Sequence, residues 1–358
     1  MRYIGNKENI LDKIFSILSK HGVSGNSFFD FFSGTTNVAK FYKKKGYEVH
    51  CSDVMYMSYC LQKAYIENGE EPQFESLIRS LELSAKGSLF ATPLEIVLEY
   101  LNNIPDIEGF IYNNYTPSGT KDLSQPRMYF SDENGLRIDA IRIQIENWKN
   151  SELITSSEYF ILLACLIETI SFYANVAGVY AAFHKKWDPR AVKRLNMRPI
   201  EIIPNTKTHC VHCANSLDLV NDINVDILYL DPPYNERQYL PNYHLVETIA
   251  AYDSPNIRGV TGMRDYGNKK SSFCNAKTAI RDLEYIASNA KFKYLVLSYN
   301  SEGIMPQEQI ISMLSKYGNV VLEEFEYLRF KSNNNGLAKT KKHINEQLYI
   351  LTKYEYRN

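Results

Sequence analysis

The run Asp226-Ile227-Leu228-Tyr229-Leu230 is apolar after its first residue and stops at Asp231-Pro232-Pro233-Tyr234, and that stop limits the folds open to the chain. An unbroken Ile, Leu and Tyr stretch suits a strand covered on both faces, as in a parallel sheet flanked by helices. The two prolines fix φ twice and bias Asp231 toward an extended conformation. A carboxylate, a peptide carbonyl and an aromatic ring are thus delivered to the carboxyl edge of a sheet, where open α/β sheets bind ligands. The plain alternative is a strand ending in a turn, with the prolines as punctuation.

The amino-terminal part supplies the rest of such a sheet. Ile10, Ile14, Ile17 and Leu18 form a helical stripe closed by Gly22 and Gly25. Ser27 to Phe32 reads as an apolar strand interrupted by Asp30, followed by Ser33-Gly34-Thr35-Thr36 and a helix from Asn37 that ends in a lysine run and Gly46. Tyr47 to Asp53 is a second strand ending in an acid. Residues 70–155 lose this alternation and carry helical stretches near 74–84, 93–102 and 136–148. A helix resumes over 158–173, and Asn175 to Trp187 reads as a hairpin or loop with a basic end. Further strands are expected near 208–213, 226–231, 292–299, 319–329 and 346–353, with helices near 241–252, 276–290 and 306–317. Lys331 to Gly336 reads as a mobile loop between the last two strands.

With 358 residues, 44% of them hydrophobic, the chain can fill one large or two ordinary domains. No apolar run approaches the ~20 residues that span a bilayer, and Met1 to Lys7 lacks the apolar core of a secretory signal. No membrane association and a cytoplasmic location are therefore expected. A net charge of −1 means that any polyanion is bound by a local basic patch. His209-Cys210-Val211-His212-Cys213 has C-x-x-C spacing, but it alternates like a strand and no second ligand pair accompanies it. Ordinary buried thiols are the expectation, with no metal.

The trio at the end of the 226–231 strand suits methylation of a flat amine. The adenine amine is a weak nucleophile because its lone pair is delocalised into the ring. A carboxylate from Asp231 and the Pro232 carbonyl, accepting its two hydrogens, favour a pyramidal nitrogen and stabilise the positive charge that develops on attack. Tyr234 would stack on a base flipped from the duplex, offsetting an unstacking cost of a few kcal/mol. Around Gly34 a full phosphate-binding glycine fingerprint is absent. That suits S-adenosylmethionine (AdoMet), which has no phosphate, and Asp53, about twenty residues on, is placed for ribose hydroxyls. A strand-terminal acid is also an ordinary helix cap.

With Arg2-Tyr3-Ile4-Gly5-Asn6-Lys7, Asp30 with Phe32-Ser33-Gly34-Thr35, Asp53, Cys213-Ala214-Asn215-Ser216 and Asp231 to Tyr234 in this order, the chain resembles the DNA N6-adenine methyltransferases of the α group, the Dam-like family. The resemblance covers most of the chain outside 70–155. It implies a Rossmann-like, seven-stranded AdoMet-dependent methyltransferase sheet, the last hairpin antiparallel. A catalytic domain over 1–69 and 156–358 would carry a largely helical target recognition domain inserted over 70–155. It further implies that Tyr3, Lys7, Asp30, Phe32, Ser33, Gly34, Thr35, Asp53, Asn215 and Ser216 hold AdoMet, while Asp231, Pro232, Pro233 and Tyr234 carry the chemistry. The sequence departs from the family where Thr36 replaces a frequent glycine and Asn215 an acid.

Asn175-x-x-Gly178-x-Tyr180 resembles the family's DNA-contacting hairpin. It leads into His184, Lys185, Lys186, Arg190, Lys193, Arg194 and Arg198, opposed only by Asp188. A solvated charged face is the plain reading; next to a base-flipping motif, double-stranded DNA is the expected partner. Arg237 and Tyr239, just after the tetrapeptide, are candidates for gripping the flipped nucleotide or its phosphate. The resemblance implies a type II restriction-modification methyltransferase, with a cognate restriction endonuclease as a possible second partner. Open alternatives are methylation of RNA or of the N4 amine of cytosine, and a catalytically idle DNA-binding protein of the same fold.

Overall fold

The computed structural model describes residues 3–84, 91–204, 207–328 and 343–354. In chain order it begins with α1 (Leu11–Lys20), β1 (Ser27–Asp30), α2 (Asn37–Lys44), β2 (Glu48–Asp53) and α3 (Tyr56–Gln62). Then come α4 (Glu75–Ser80), α5 (Pro93–Asn103), α6 (Phe110–Tyr115), α7 (Asp132–Asn150) and α8 (Ser156–Tyr173). β3 (Cys210–Cys213), β4 (Asn224–Leu230), α9 (Leu240–Ala251) and the short strands β5 (Ile257–Arg258) and β6 (Met263–Arg264) follow. The chain closes with α10 (Ala276–Asn289), β7 (Lys291–Asn300), α11 (Gln307–Leu314), β8 (Gly318–Leu328) and β9 (His343–Lys353). The expected loop from Lys331 to Gly336 lies outside the described residues.

Two compact units result. One holds Ile4–Gln62, Asn205–Leu240 and Gly267–Asn358; the other holds Tyr3, Lys63–Pro204 and Pro241–Tyr266. The first contains a seven-stranded sheet in the order β3-β2-β1-β4-β7-β9-β8. β1 pairs in parallel with both β2 and β4, and β4 with β7, while β9 runs antiparallel to β7 and β8. This is the α/β architecture expected from the sequence. Because successive side chains alternate across a strand, Phe29 and Phe31 pack with Leu228, Leu230, Leu295 and Leu297 in one apolar layer. Phe28 lies on the opposite face and stacks on Tyr42 at 3.6 Å. Each fully buried Phe or Leu contributes about 1.5–3 kcal/mol, and this layer fixes the ends of β1 and β4.

The second unit is built on α7, a helix that buries charge. Arg137 donates to the Leu101 and Ile104 carbonyls at the end of α5, and Arg142 to the Ile249 and Ala250 carbonyls at the end of α9. Asp139 accepts the Gly109, Ile111 and Tyr112 N–H groups at the start of α6. Helix ends leave such groups orphaned, so one helix supplies the caps of three others. That explains α6, which the sequence reading missed: Phe-Ile-Tyr-Asn-Asn-Tyr has little intrinsic helix propensity. α8 is long and apolar enough to cross a membrane by composition, and 72% of it is buried inside the fold. Residues 70–155 were expected to form a domain of their own; the unit that contains them also contains α8, the segment to Pro204 and Pro241–Tyr266.

Candidate active site

The order of the sheet reverses between β1 and β4. Chain connections run outward from β1 through β2 to β3, then return to β4 and continue to β7. Ligands of open α/β sheets bind at such a switch point, past the carboxyl ends of the strands. Asp30 is the last residue of β1, in register with Tyr229. Asp231 follows the last residue of β4. The two carboxylates are close enough for their charges to interact.

Asp231 leaves 21% of its side chain exposed, while Pro232 and Pro233 are buried and anchor it. The Tyr234 carbonyl accepts the Ile304 N–H at 3.0 Å, which ties the tetrapeptide to the turn after β7. The Lys7 ammonium lies 3.4 Å from Asp231 and 2.5 Å from Glu346 on β9. Lys7 itself is set by its neighbour: the Asn6 side chain accepts a hydrogen bond from Asn37 at the start of α2. Burial pushes the Asp231 carboxyl up to about 7, the Lys7 charge drawing it down and the Glu346 charge adding to the rise. Burial alone would lower the Lys7 ammonium, but the charges of Asp231 and Glu346 outweigh it and hold it well above its ordinary value.

At the ends of β1 and β2 the structure collects hydrogen-bond acceptors. Gly34 has φ +48, and its N–H donates to Asp53 Oδ2 at 2.9 Å. Asp53 Oδ1 accepts the Met55 N–H; a carboxylate has about four acceptor sites, so capacity remains. Ser33 and Gln62 are joined at 2.7 Å. Asp30 Oδ2 and Gln62 Oε1 are buried without a donor among the described residues. Burial, followed by the charge of Asp231, lifts the Asp30 carboxyl to about 8. A ligand rich in donors, with an ammonium and ribose hydroxyls, fits these acceptors. Thr36 adopts φ +62, the left-handed region that costs an L-residue about 1–2 kcal/mol, which is the physical reason a glycine is favoured there.

The remaining candidates are placed as follows. Ser216 is buried and bonded to the Phe31 carbonyl and to Ser52. Asn215 is exposed and caps the short helical turn Ser216–Asp222. Phe32 packs edge-on to Phe273 and Thr35 is buried. Tyr239 approaches Gly5, whose φ is +76. Arg237 is exposed on a loop that Gln238 pins to Ser271 by two hydrogen bonds. Tyr3 is in the other unit, stacked on Tyr243 at 4.3 Å. Glu346, Ser298 and Gln62 escaped the sequence reading. The available signal was a buried-type polar residue inside an otherwise apolar element.

In the second unit, the basic segment is irregular and contains no strand between Asn175 and Trp187, so of the hairpin or loop expected there it is a loop. Three asparagines hold it. Asn175 donates to the Met128 and His184 carbonyls and accepts the Asp188 N–H. Asn134 donates to the Ala191 and Lys193 carbonyls and accepts the Leu195 N–H. Asn102 exchanges two bonds with the Met197 backbone. Asn175, Gly178 and Tyr180, expected at a DNA surface, are buried, and the Tyr180 carbonyl accepts from Tyr129. Lys185, Lys186, Lys193, Arg194 and Arg198 are exposed, whereas Arg190 pairs with Asp188 at 2.7 Å.

Comparison with known proteins adds two findings. Residues 3–313 match the family described as D12 class N6 adenine-specific DNA methyltransferase. The chain is 38% identical to the type II methyltransferase M.NlaIII of Neisseria lactamica over 99% of both chains. It is also 38% identical to the type II methyltransferase M.FokI of Planomicrobium okeanokoites over 93% of this chain and 50% of that protein. For the modification methylase StsI of Streptococcus sanguinis the identity is 34%, over 98% of this chain and 52% of that protein. The chain thus spans about half the length of two of these relatives and essentially all of the third.

Proposed function

Because the chain belongs to the D12 class N6 adenine-specific DNA methyltransferases, we propose that the end of β4 is where it methylates adenine, with AdoMet as the donor that the family implies. The observation that carries this reading is Asp231, partly open at the switch point of the sheet, facing Asp30 and held by Lys7. Family membership also favours DNA adenine over RNA or the N4 amine of cytosine.

In this reading the ionised Asp231 and the Pro232 carbonyl accept the two amine hydrogens, so that the nitrogen lone pair is freed and its developing charge is stabilised. Pro233 stiffens the pair, and Tyr234 stacks on the flipped base. AdoMet supplies a methyl group activated by its sulfonium. Asp30 Oδ2 and Gln62 would hold its amino acid end, Asp53 the ribose, and Asn215 with Ser216 the adenine edge; Phe32, Ser33, Gly34 and Thr35 form the loop against it. Lys7 orients Asp231. Tyr3, stacked on Tyr243, is a cofactor candidate on the family resemblance alone.

DNA is gripped, we infer, by the asparagine-clamped segment. Because its backbone is already fixed, the segment loses little backbone freedom on meeting phosphates, and only the side chains of Lys185 and Lys186 have to be ordered. Arg190, Arg237 and Tyr239 are further contact candidates, with Asn175, Gly178 and Tyr180 shaping the segment from within. Replacing both Lys185 and Lys186 by Gln is expected to weaken DNA binding and lower the log–log salt slope by about 2, at about 0.9 per phosphate contact. Cofactor affinity should stay unchanged. Filter binding between low and high salt checks this; an unaltered slope removes the two lysines from the interface. We assign target recognition to residues 70–155.

The names of the relatives suggest that the chain protects DNA in a type II restriction-modification system beside a cognate endonuclease. Digesting DNA from cells that express the chain to nucleosides tests the reaction itself. N6-methyladenine is expected, and its absence, or N4-methylcytosine in its place, would overturn the proposal. Sequencing the same DNA for modified bases yields the recognised site.

A further inference from the structure

The buried cation of the site is shared unequally. Lys7 is 2.5 Å from Glu346 and 3.4 Å from Asp231, and Glu346 is the more deeply buried acid, 1% exposed. Glu346 stands opposite Asn300 in the β7–β9 ladder, and the Ser298 hydroxyl donates to the same Glu346 oxygen that Lys7 holds. The glutamate is therefore fixed from two sides. A buried charge pair of this kind is a poor source of stability compared with apolar packing, so its position calls for another account. Were the carboxylate at 346 absent, the ammonium would turn its full charge and its donors on Asp231, the group proposed to accept from the substrate amine.

We propose that Glu346 is a positioning residue for methyl transfer, which by taking the closer ion pair with Lys7 keeps that ammonium beside Asp231 without letting it occupy the acceptor sites of Asp231. The inference rests on Asp231 being the acceptor. Two carboxylates against one ammonium leave an excess negative charge in the site, and a positively charged transition state is stabilised by it. The groups that face Asp231 are Lys7 from the amino-terminal turn, Glu346 from β9, Asp30 from β1 and the Tyr229 phenol from β4. Of these, Glu346 raises the Asp231 carboxyl and Lys7 lowers it. Neutralising Glu346 removes the upward push and frees Lys7, so both changes move Asp231 the same way.

The test is steady-state methylation by Glu346→Gln and Glu346→Asp against the wild-type chain over a pH series. Glu346→Gln is expected to move the acid limb of the rate profile to lower pH and to reduce kcat about tenfold or more on the plateau. KM for DNA and Kd for AdoMet should stay within about threefold. Glu346→Asp keeps the charge, so the limb should stay at the wild-type pH while kcat falls by a smaller factor. An unshifted limb with wild-type kcat in Glu346→Gln overturns the inference. So does an equal loss in both variants with an unshifted limb, because that pattern reports packing. If Glu346→Gln does not fold, Glu346→Asp decides, and an unchanged kcat there overturns the inference. Full activity in Asp231→Ala would instead overturn the acceptor role of Asp231 itself, so the two failures are distinguishable.

Discussion

Asp231→Ala is expected to lower kcat for methyl transfer by at least about 10²–10³-fold, the usual cost of removing one aligned group that stabilises developing charge, while AdoMet still binds. The fold should survive, because Lys7 retains its 2.5 Å partner Glu346 and is not left as an uncompensated buried charge. Prolines 232 and 233 remain to end β4 in the same way. Single-turnover methylation and calorimetry on the same preparation check both halves. Substantial methylation by this variant would refute the role, and loss of cofactor binding would move Asp231 from chemistry to binding. The wild-type pH profile carries the same information. Burial lifts Asp231 to about 7, and below that value the carboxyl is protonated and no longer accepts with both oxygens. At saturating AdoMet the kcat/KM for DNA, which reports the enzyme–AdoMet form that meets DNA, should therefore fall as pH drops through about 7 and level off above it. A flat profile from pH 5 to 8 would contradict this.

Asp30→Asn should do the opposite to binding and to stability. Its Oδ2 is buried without a donor among the described residues, and a charge-assisted bond to the cofactor's ammonium contributes about 1.5–3 kcal/mol. Its loss predicts about a ten- to hundredfold weaker Kd for AdoMet. The ligand-free protein should become more stable, with a pH signature whose sign is fixed. An unfolded Asp titrates near about 3.9, and the folded Asp30 near 8. Between these values the folded chain keeps a proton that the unfolded chain releases, so wild-type stability declines as pH rises through the window. Asparagine cannot titrate, so the Tm advantage of Asp30→Asn should grow from pH 4 to 8 and then level off. Equal AdoMet affinity in the two proteins would remove Asp30 from the cofactor site. The same acid would then be a cost to the fold without a use.

The sequence by itself determined the sheet and its reactive edge, because both are written in contiguous residues. The apolar run of β4 ending in Asp231 and two prolines, the β1 strand ending in Asp30 before Gly34, and β2 ending in Asp53 each encode an element and its terminus within about ten residues. Strand period shows which residues are apolar, and a strand-terminal acid marks where a ligand edge can form. Lys7 was legible only through the family resemblance.

Tertiary structure alone decided who partners the buried polar groups. Glu346 reaches Lys7 across 339 positions of sequence, brought there by an antiparallel insertion of β9 between β7 and β8. Arg137, Asp139 and Arg142 read as the polar residues of an ordinary helix, yet they cap α5, α6 and α9. Asn175 and Tyr180 read as surface residues of a DNA-contacting hairpin, yet they are buried and hold a loop. The reason is common to all of them. Local patterning sets which face of an element is apolar, but a buried donor or acceptor must be satisfied by whatever the topology brings within hydrogen-bond reach, and that neighbour is a property of the folded chain.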